Sequence, residues 1–402
     1  LAHVARCVTL ARALDPDVYE VRLACDSRYD HLIGDVPFPR VSVRTIPDRQ
    51  FFAALSRGTP IYSLTDLAGY VAEDLALIED FRPDVVVGDF RLSLGVSARL
   101  SEVGYIAISN GYWSPYARAP LPVPDIALTR LVGVRAAQRI FDLSHPAVGA
   151  WHARVFNRLR KRYGLPPAVR DVRHFYTESD QTLYADLAEL VPVADLPAHH
   201  RFIGPIPWSS AVACPPWWDS LPADLALVYV TLGSSGPSGL LPLVLESLAD
   251  LPVVVVAATA GRMTPRHIPE NAHVAVMLPG DRVAQRASLV VCNGGSPTSY
   301  QALGAGTPVI GICSNLDQYL NMALLERAGA GLLLRGAQTS APLVRRTVRR
   351  TLEDEAIRAR AAELGQVIAR GRATDRFLSA VESVIGTKDE LRKEGRNRSG
   401  TA

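Results

Sequence analysis

The chain has 402 residues, too many for one ordinary core, so two domains are expected. Hydrophobic residues make up 48% and charged ones 21%, which excludes wholesale disorder, and a net charge of +3 with acids and bases interspersed gives no reason to expect nucleic acid. The longest apolar runs fall far short of the ~20 residues that span a bilayer, and five cysteines (Cys7, Cys25, Cys214, Cys292, Cys313) without metal-type spacing point to a reduced, cytoplasmic compartment.

The opening "LAHVARCVTLARALD" has helical periodicity, with Val4, Val8, Leu10 and Leu14 on or near one face. A fold that begins on a helix is expected to lack a strand before it, so the chain reads as a fragment. Strands follow at 19–25 and 40–46, an amphipathic helix within 65–81, a buried strand at 83–90, a helix at 93–103 and a strand at 105–110. This is βαβ rhythm, which predicts a parallel sheet covered by helices. From Trp113 to Asp186 the rhythm breaks, and loops plus one helix around 150–164 are expected. Five prolines between Phe202 and Asp224 mark a linker. The rhythm restarts at Leu225 with strands at 225–233, 252–259, 273–278, 288–292 and 308–312, and with helices between and after them. Arg- and Glu-rich helices cover 342–385, and a polar, frayed tail is expected at 386–402. The expected division is therefore a first domain at 1–205, a linker at 206–222, a second domain at 223–385 and the tail.

The stretch "CNGGSPTSYQALGAGTPVIGICSNLDQYLN", Cys292 to Asn321, carries the most chemistry. A strand should end at Asn293 and a helix should start at Ser296, with Ser296 as N-cap and Pro297 at the first helical position. Gly294 and Gly295 let the backbone approach a ligand, and the first-turn N–H groups carry the positive end of the helix dipole. The arrangement is either an anion site of the kind that takes a diphosphate, or a plain tight turn. Ser314 and Asp317 have capping-box spacing, whereas Gln318 has no such structural reason and, with Asp317, could reach sugar hydroxyls. The loop Thr231–Gly236 ends another strand with glycines and serines.

The residues Asn293-Gly294-Gly295-Ser296-Pro297-Thr298, Gln301-Ala302-Leu303, Gly306-Thr307-Pro308, Asp317-Gln318 and Asn321 resemble the donor motif of GT-B glycosyltransferases, with its spacing kept throughout. The family includes macrolide, glycopeptide and plant secondary-metabolite glucosyltransferases. The resemblance implies an α/β fold of two doubly wound, Rossmann-like domains whose parallel sheets face across an interdomain cleft. It also implies an N-terminal acceptor domain and a C-terminal donor domain. Asn293, Gly294, Gly295, Ser296 and Thr298 would lie at the donor diphosphate, with Ser234 across from them. Met277, Leu278 and Gln301 would hold the nucleoside, and Asp317 and Gln318 the transferred sugar. Two residues depart from the motif: its His is Asn293 and its Glu is Gln301. A Gln clamps a ribose hydroxyl less strongly than a carboxylate, which favours dTDP, without a 2′-hydroxyl, over UDP. Arg262 either compensates for the absent His or is a solvated surface residue.

The family places a His at the start of the first helix as the base that takes the acceptor hydroxyl's proton, oriented by an Asp at the end of a later strand. His3 and Asp89 match. Read without the family, His3 is a helix-start residue and Asp89 an acid capping a neighbouring helix. Tyr112, Trp113 and Tyr116 form either an acceptor wall or local core. The implied activity is inverting, metal-independent transfer from an NDP-sugar, UDP or dTDP, to a hydroxyl of a small-molecule or natural-product acceptor. No cofactor or metal is expected beyond the nucleotide-sugar co-substrate, and nothing indicates membrane association. The alternatives are a GT-B sugar-nucleotide epimerase and a non-catalytic nucleotide-sugar-binding homologue.

Overall fold

The computed structural model describes residues 2–167, 171–210, 212–233 and 236–399. The chain divides into two compact units. An N-terminal unit comprises 2–119, 140–206 and the residues from Arg372 onward, and a C-terminal unit comprises 120–139 and 207–371.

In the N-terminal unit, β1 (Leu23–Cys25) and β2 (Arg40–Ser42) pair in parallel. A second, four-stranded parallel sheet is made by β3 (Val85–Asp89), β4 (Gly104–Ser109), β5 (Gln181–Tyr184) and β6 (His200–Phe202), in the order β3-β4-β5-β6. Every residue of β4 is buried, as a strand covered on both faces requires. β5 falls in the stretch expected to be loops plus one helix. That stretch also holds the helix Ala127–Arg162, interrupted by non-helical Gly133.

The C-terminal unit is built on β7 (Ala226–Thr231), β8 (Val253–Ala258), β9 (Ala272–Ala275), β10 (Leu289–Cys292), β11 (Val309–Cys313) and β12 (Gly331–Arg335). All six strands are parallel, in the order β12-β11-β10-β7-β8-β9. From β7 the chain runs outward to β8 and β9, then returns to β10 on the other side. That reversal opens a crevice beyond the carboxyl ends of β7 and β10, the general ligand position of a doubly wound sheet. The core is a run of buried β-branched residues, including Val228, Val230, Val255 and Val291, packed against Leu241, Val244 and Leu248 of the helix Leu241–Leu248.

Two segments depart from the expected linear division. Residues 120–139 precede the linker but fold with the C-terminal unit. Arg335 explains this: its Nη1 donates to Asp125 Oδ1 at 3.0 Å and its Nη2 to the Val123 carbonyl at 2.6 Å, while the N–H of Ala337 donates to Asp125 Oδ2 at 2.8 Å. The last helix, Ala373–Ser399, folds with the N-terminal unit, burying Phe377, Ala380, Val381 and Val384 against Ile106, Ile108, Leu183 and Ile203. The helix continues to Ser399 where the sequence suggests a frayed tail.

Candidate active site

In the C-terminal unit, the register that sets Cys292 of β10 opposite Thr231 of β7 brings the two following loops together. Asn293 is 6% exposed and lies against Gly233 and Gly236 of the other loop. Its Oδ1 accepts the N–H of Gly295 at 3.1 Å, so the Asn closes the turn itself. Gly294 has φ +80°, and a Cβ there would stand 2.6 Å from Met322 Cγ and 2.7 Å from Cys313 Sγ, so only glycine fits. The helix begins at Ser296 with Gly295 as its N-cap. Ser296 is therefore the first helical residue rather than the cap, and Pro297 follows it. The cap position needs extended backbone, and Gly295 supplies it with φ −71° and ψ 146°.

Asn321, from the helix Leu316–Arg327, holds this loop from below. Its Nδ2 donates to the Gly294 carbonyl at 2.8 Å and to Ser299 Oγ at 3.1 Å, and it is 1% exposed. Ser299 in turn donates to the Gly295 carbonyl at 2.9 Å. The expected site residues Asn293, Gly294, Gly295, Ser296 and Thr298 thus form one continuous loop and helix start. Ser234 lies outside the described residues.

At the start of the helix Leu316–Arg327 the capping box is made by Asn315 and Gln318, one position later than the expected Ser314–Asp317 spacing. Gln318 Oε1 accepts from the Ser314 N–H at 2.9 Å and from Ser314 Oγ at 3.1 Å, and the side chain is buried. Gln318 therefore has the structural role that the sequence suggested for Asp317. Asp317 is the more exposed of the pair.

Two of the three residues expected at the nucleoside, Gln301 and Leu278, are bonded to the segment before β7. Gln301 Nε2 donates to the Trp208 carbonyl at 3.1 Å, and Ser210 Oγ donates to the Leu278 carbonyl at 2.9 Å. A carboxylate at position 301 could not make the first of these bonds, because it has no hydrogen to give. Leu278 is buried, and Met277 is partly exposed beside it. Arg262 lies on the loop after β8.

In the N-terminal unit, His3 and Asp89 meet although 86 residues separate them: His3 Nδ1 stands 2.8 Å from Asp89 Oδ1. The helix Ala2–Ala11 carries His3, and Asp89 ends β3. The His3 side chain is 52% exposed while that of Asp89 is 1% exposed, so the pair is anchored inside and open outside. A carboxylate at that distance holds a hydrogen on Nδ1 and leaves Nε2 to accept a proton. Burial alone would push the Asp89 carboxyl up, but Arg6 and then His3 outweigh it and hold the carboxyl below its ordinary value.

Three residues joined to this pair by hydrogen bonds match no motif in the sequence: Arg6, Asn110 and Asp186. Arg6 is 6% exposed, with Nε 2.6 Å from Asp89 Oδ2 and Nη2 2.7 Å from Asp89 Oδ1. Its place three residues after His3 puts both on one helix face, the one local feature that could have pointed to it.

Beside His3 runs a string of rings. The His3 and Phe90 rings lie 5.1 Å apart, Phe90 and Tyr176 5.4 Å, and Tyr176 and Trp113 5.7 Å edge to face. Phe90 adopts φ +55°, a strained conformation for a bulky residue, immediately after Asp89. Of the aromatics expected at the acceptor, Trp113 joins this string. Tyr112 is 2% exposed and belongs to the core, and Tyr116 packs instead against His174 and His200. Phe90 and Tyr176 were missed because neither lies in the aromatic stretch 112–116.

Among solved structures, the fold is similar to that of the glycosyltransferase of kitacinnamycin, with a TM-score of 0.72, 21% identity, and 95% of this chain and 96% of that one covered. It is also similar to the spinosyn rhamnosyltransferase SpnG complexed with thymidine diphosphate, with a TM-score of 0.67, 19% identity, and 95% and 97% covered. These likenesses show a GT-B glycosyltransferase fold. Residues 242–374 match the family described as "Erythromycin biosynthesis protein CIII-like, C-terminal domain". Over 392 residues, 98% of this chain and 87% of the relative, the sequence is 48% identical to the "PGL/p-HBAD biosynthesis rhamnosyltransferase" of Mycobacterium bovis (strain BCG / Pasteur 1173P2). The chain belongs to this family of glycosyltransferases, and it is a sugar-transferring enzyme. Among the described residues no helix is long and apolar enough to cross a membrane.

Proposed function

We propose that the enzyme transfers a rhamnose-type deoxysugar from a dTDP-sugar to a hydroxyl of an acceptor of the PGL/p-HBAD kind, with inversion and without a metal. The observation that carries the catalytic part is the 2.8 Å contact between His3 Nδ1 and Asp89. Asp89 holds the Nδ1 hydrogen, and His3 Nε2 takes the acceptor hydroxyl's proton. The hydroxyl oxygen forms its bond to the anomeric carbon as the bond from that carbon to the diphosphate oxygen breaks. The diphosphate leaves with the electron pair, and its charge is met by the start of the helix Ser296–Gly304 and the hydroxyls of Ser296 and Thr298. Asp317 holds sugar hydroxyls, and Phe90, Tyr176 and Trp113 present the acceptor with aromatic surface.

The donor assignment is supported by the rhamnosyltransferase relative and by Gln301, whose Nε2 is committed to the Trp208 carbonyl. A side chain so engaged makes a weak ribose clamp, which costs a deoxyribose least. The test is thermal shift with dTDP, UDP and GDP, followed by turnover of dTDP-rhamnose. The expected result is the largest stabilisation with dTDP, about 2.7 kcal/mol at a hundredfold excess over Kd. His3→Ala should abolish transfer and leave the dTDP shift intact. If no nucleotide stabilises the protein, the donor site is wrongly placed; if His3→Ala still transfers, His3 is not the base.

A further inference from the structure

A buried carboxylate with a lone imidazole partner tends to draw a second proton onto the ring, forming an ion pair. Such an imidazolium has no lone pair on Nε2 and cannot act as a base. In this enzyme another cation already faces Asp89. Arg6 spans both carboxylate oxygens, at 2.6 and 2.7 Å, from the same helix as His3. Its third arm, Nη1, donates to Asn110 Oδ1 at 2.9 Å. Asn110 Nδ2 passes the contact on to Asp186, 3.1 Å from Oδ1, and the N–H of Gly111 donates to the same carboxylate. One guanidinium thus ties together the carboxyl ends of three adjacent strands, β3, β4 and β5.

We propose that Arg6 is a positioning residue for sugar transfer: it fixes Asp89 so that Oδ1 receives the His3 Nδ1–H, and it supplies the countercharge that lets His3 remain neutral. The Arg6 Nη2 also lies 3.1 Å from His3 Nδ1, because both address the same carboxylate oxygen. Among the described residues, the other groups around the cluster do not supply this charge. The Cys7 thiol on the same helix is pushed up to about 12, first by burial and then by Asp89, and stays neutral. Asp186 is negative and is separated from Asp89 by Arg6 and Asn110, and Tyr112 lies beside Arg6. Among the described residues, Arg6 is the cation paired with the inner face of Asp89.

The proposal rests on His3 being the base, but its test reads the ring directly. The full chain is labelled with 15N-histidine, and His3 is followed against pH in the wild type, Arg6→Gln and Arg6→Lys. The wild-type ring should carry its neutral-form hydrogen on Nδ1. In Arg6→Gln the ratio of charged to neutral His3 at a fixed pH should rise at least about tenfold, equivalent to one unit on the pH axis. The ascending limb of kcat/KM, measured with dTDP-rhamnose, should move to higher pH by the same factor with the donor KM unchanged. Arg6→Lys keeps the cation and loses the fork, so its ratio should stay within about threefold of wild type while the Nε2–H tautomer gains population. An unchanged ratio and pH limb in folded Arg6→Gln would show that Arg6 only braces the helix. If that variant does not fold, a wild-type tautomer in Arg6→Lys overturns the proposal on its own. If His3→Ala retains transfer, the base assignment fails separately from these ring measurements.

Discussion

Replacing Asp89 by Asn changes one buried atom and disturbs three hydrogen bonds. The carboxylate accepts from Arg6 Nε at 2.6 Å, Arg6 Nη2 at 2.7 Å and His3 Nδ1 at 2.8 Å. An amide has one oxygen, so in either orientation its NH2 group confronts a guanidinium N–H. The Arg6 side chain is 7% exposed and that of Asp89 1%, so water screens neither, and the substitution leaves a buried cation bonded to neutral amides, with the Asp186 carboxylate one residue removed beyond Asn110. Breaking such a pair costs about 3–5 kcal/mol. His3 is half exposed, and its contact is left out of that figure. Because the Asp89 carboxyl is held below its ordinary value, its contribution is present above the unfolded value of ~3.9 and is lost as the pH falls through the folded one. Urea unfolding of wild type and Asp89→Asn should therefore differ by about 3–5 kcal/mol at pH 7 and converge in strong acid. Transfer should fall by about 10²–10⁴, because His3 loses the group that fixes its tautomer. A loss of under about 1 kcal/mol at pH 7 would refute the reasoning, since Arg6 would then not depend on this carboxylate.

Three further substitutions probe the C-terminal unit. Asn321→Ala leaves the Gly294 carbonyl without the donor that stands 2.8 Å away. It should cost about 1–3 kcal/mol in urea unfolding and weaken dTDP binding measured by calorimetry, because the Gly294–Gly295 loop loses its support. Asn293→His restores the residue the family carries but puts a larger ring where Gly233 and Gly236 close in. Thermal unfolding should show a loss of about 1–3 kcal/mol with no gain in dTDP affinity. Gln301→Glu turns a donor toward the Trp208 carbonyl into an acceptor. The variant should lose about 1–3 kcal/mol at neutral pH. Part of that should return at low pH, where a protonated Glu can donate to the carbonyl again; melting at two pH values checks it.

The donor loop was legible in the sequence because its parts lie within thirty residues of one another, Cys292 to Asn321. Strand, glycines, helix start and the supporting Asn321 keep a local spacing, and local spacing is what a sequence displays. Even there a one-residue ambiguity remained. Ser296 and Ser314 are both good caps by residue type, yet Gly295 and Asn315 took those places. Backbone dihedrals choose between adjacent candidates, and in doing so they gave the capping role to Gln318 instead of Asp317.

The base and its orienter could be named from the sequence only through a family pattern, since neither residue is distinctive alone. Arg6, Asn110 and Asp186 had no such pattern. Only the pairing of β3, β4 and β5 and the packing of the first helix bring their side chains together. Domain membership was likewise decided in three dimensions. The segment 120–139 follows its Arg335–Asp125 contact, and the helix Ala373–Ser399 follows the apolar face it buries on β4 and β5. Periodicity in the sequence states that a helix has an apolar face or that an acid ends a strand. Which sheet covers that face, and which cation meets that acid, depends on burial energies between residues tens to hundreds of positions apart, and those were settled only by the tertiary structure.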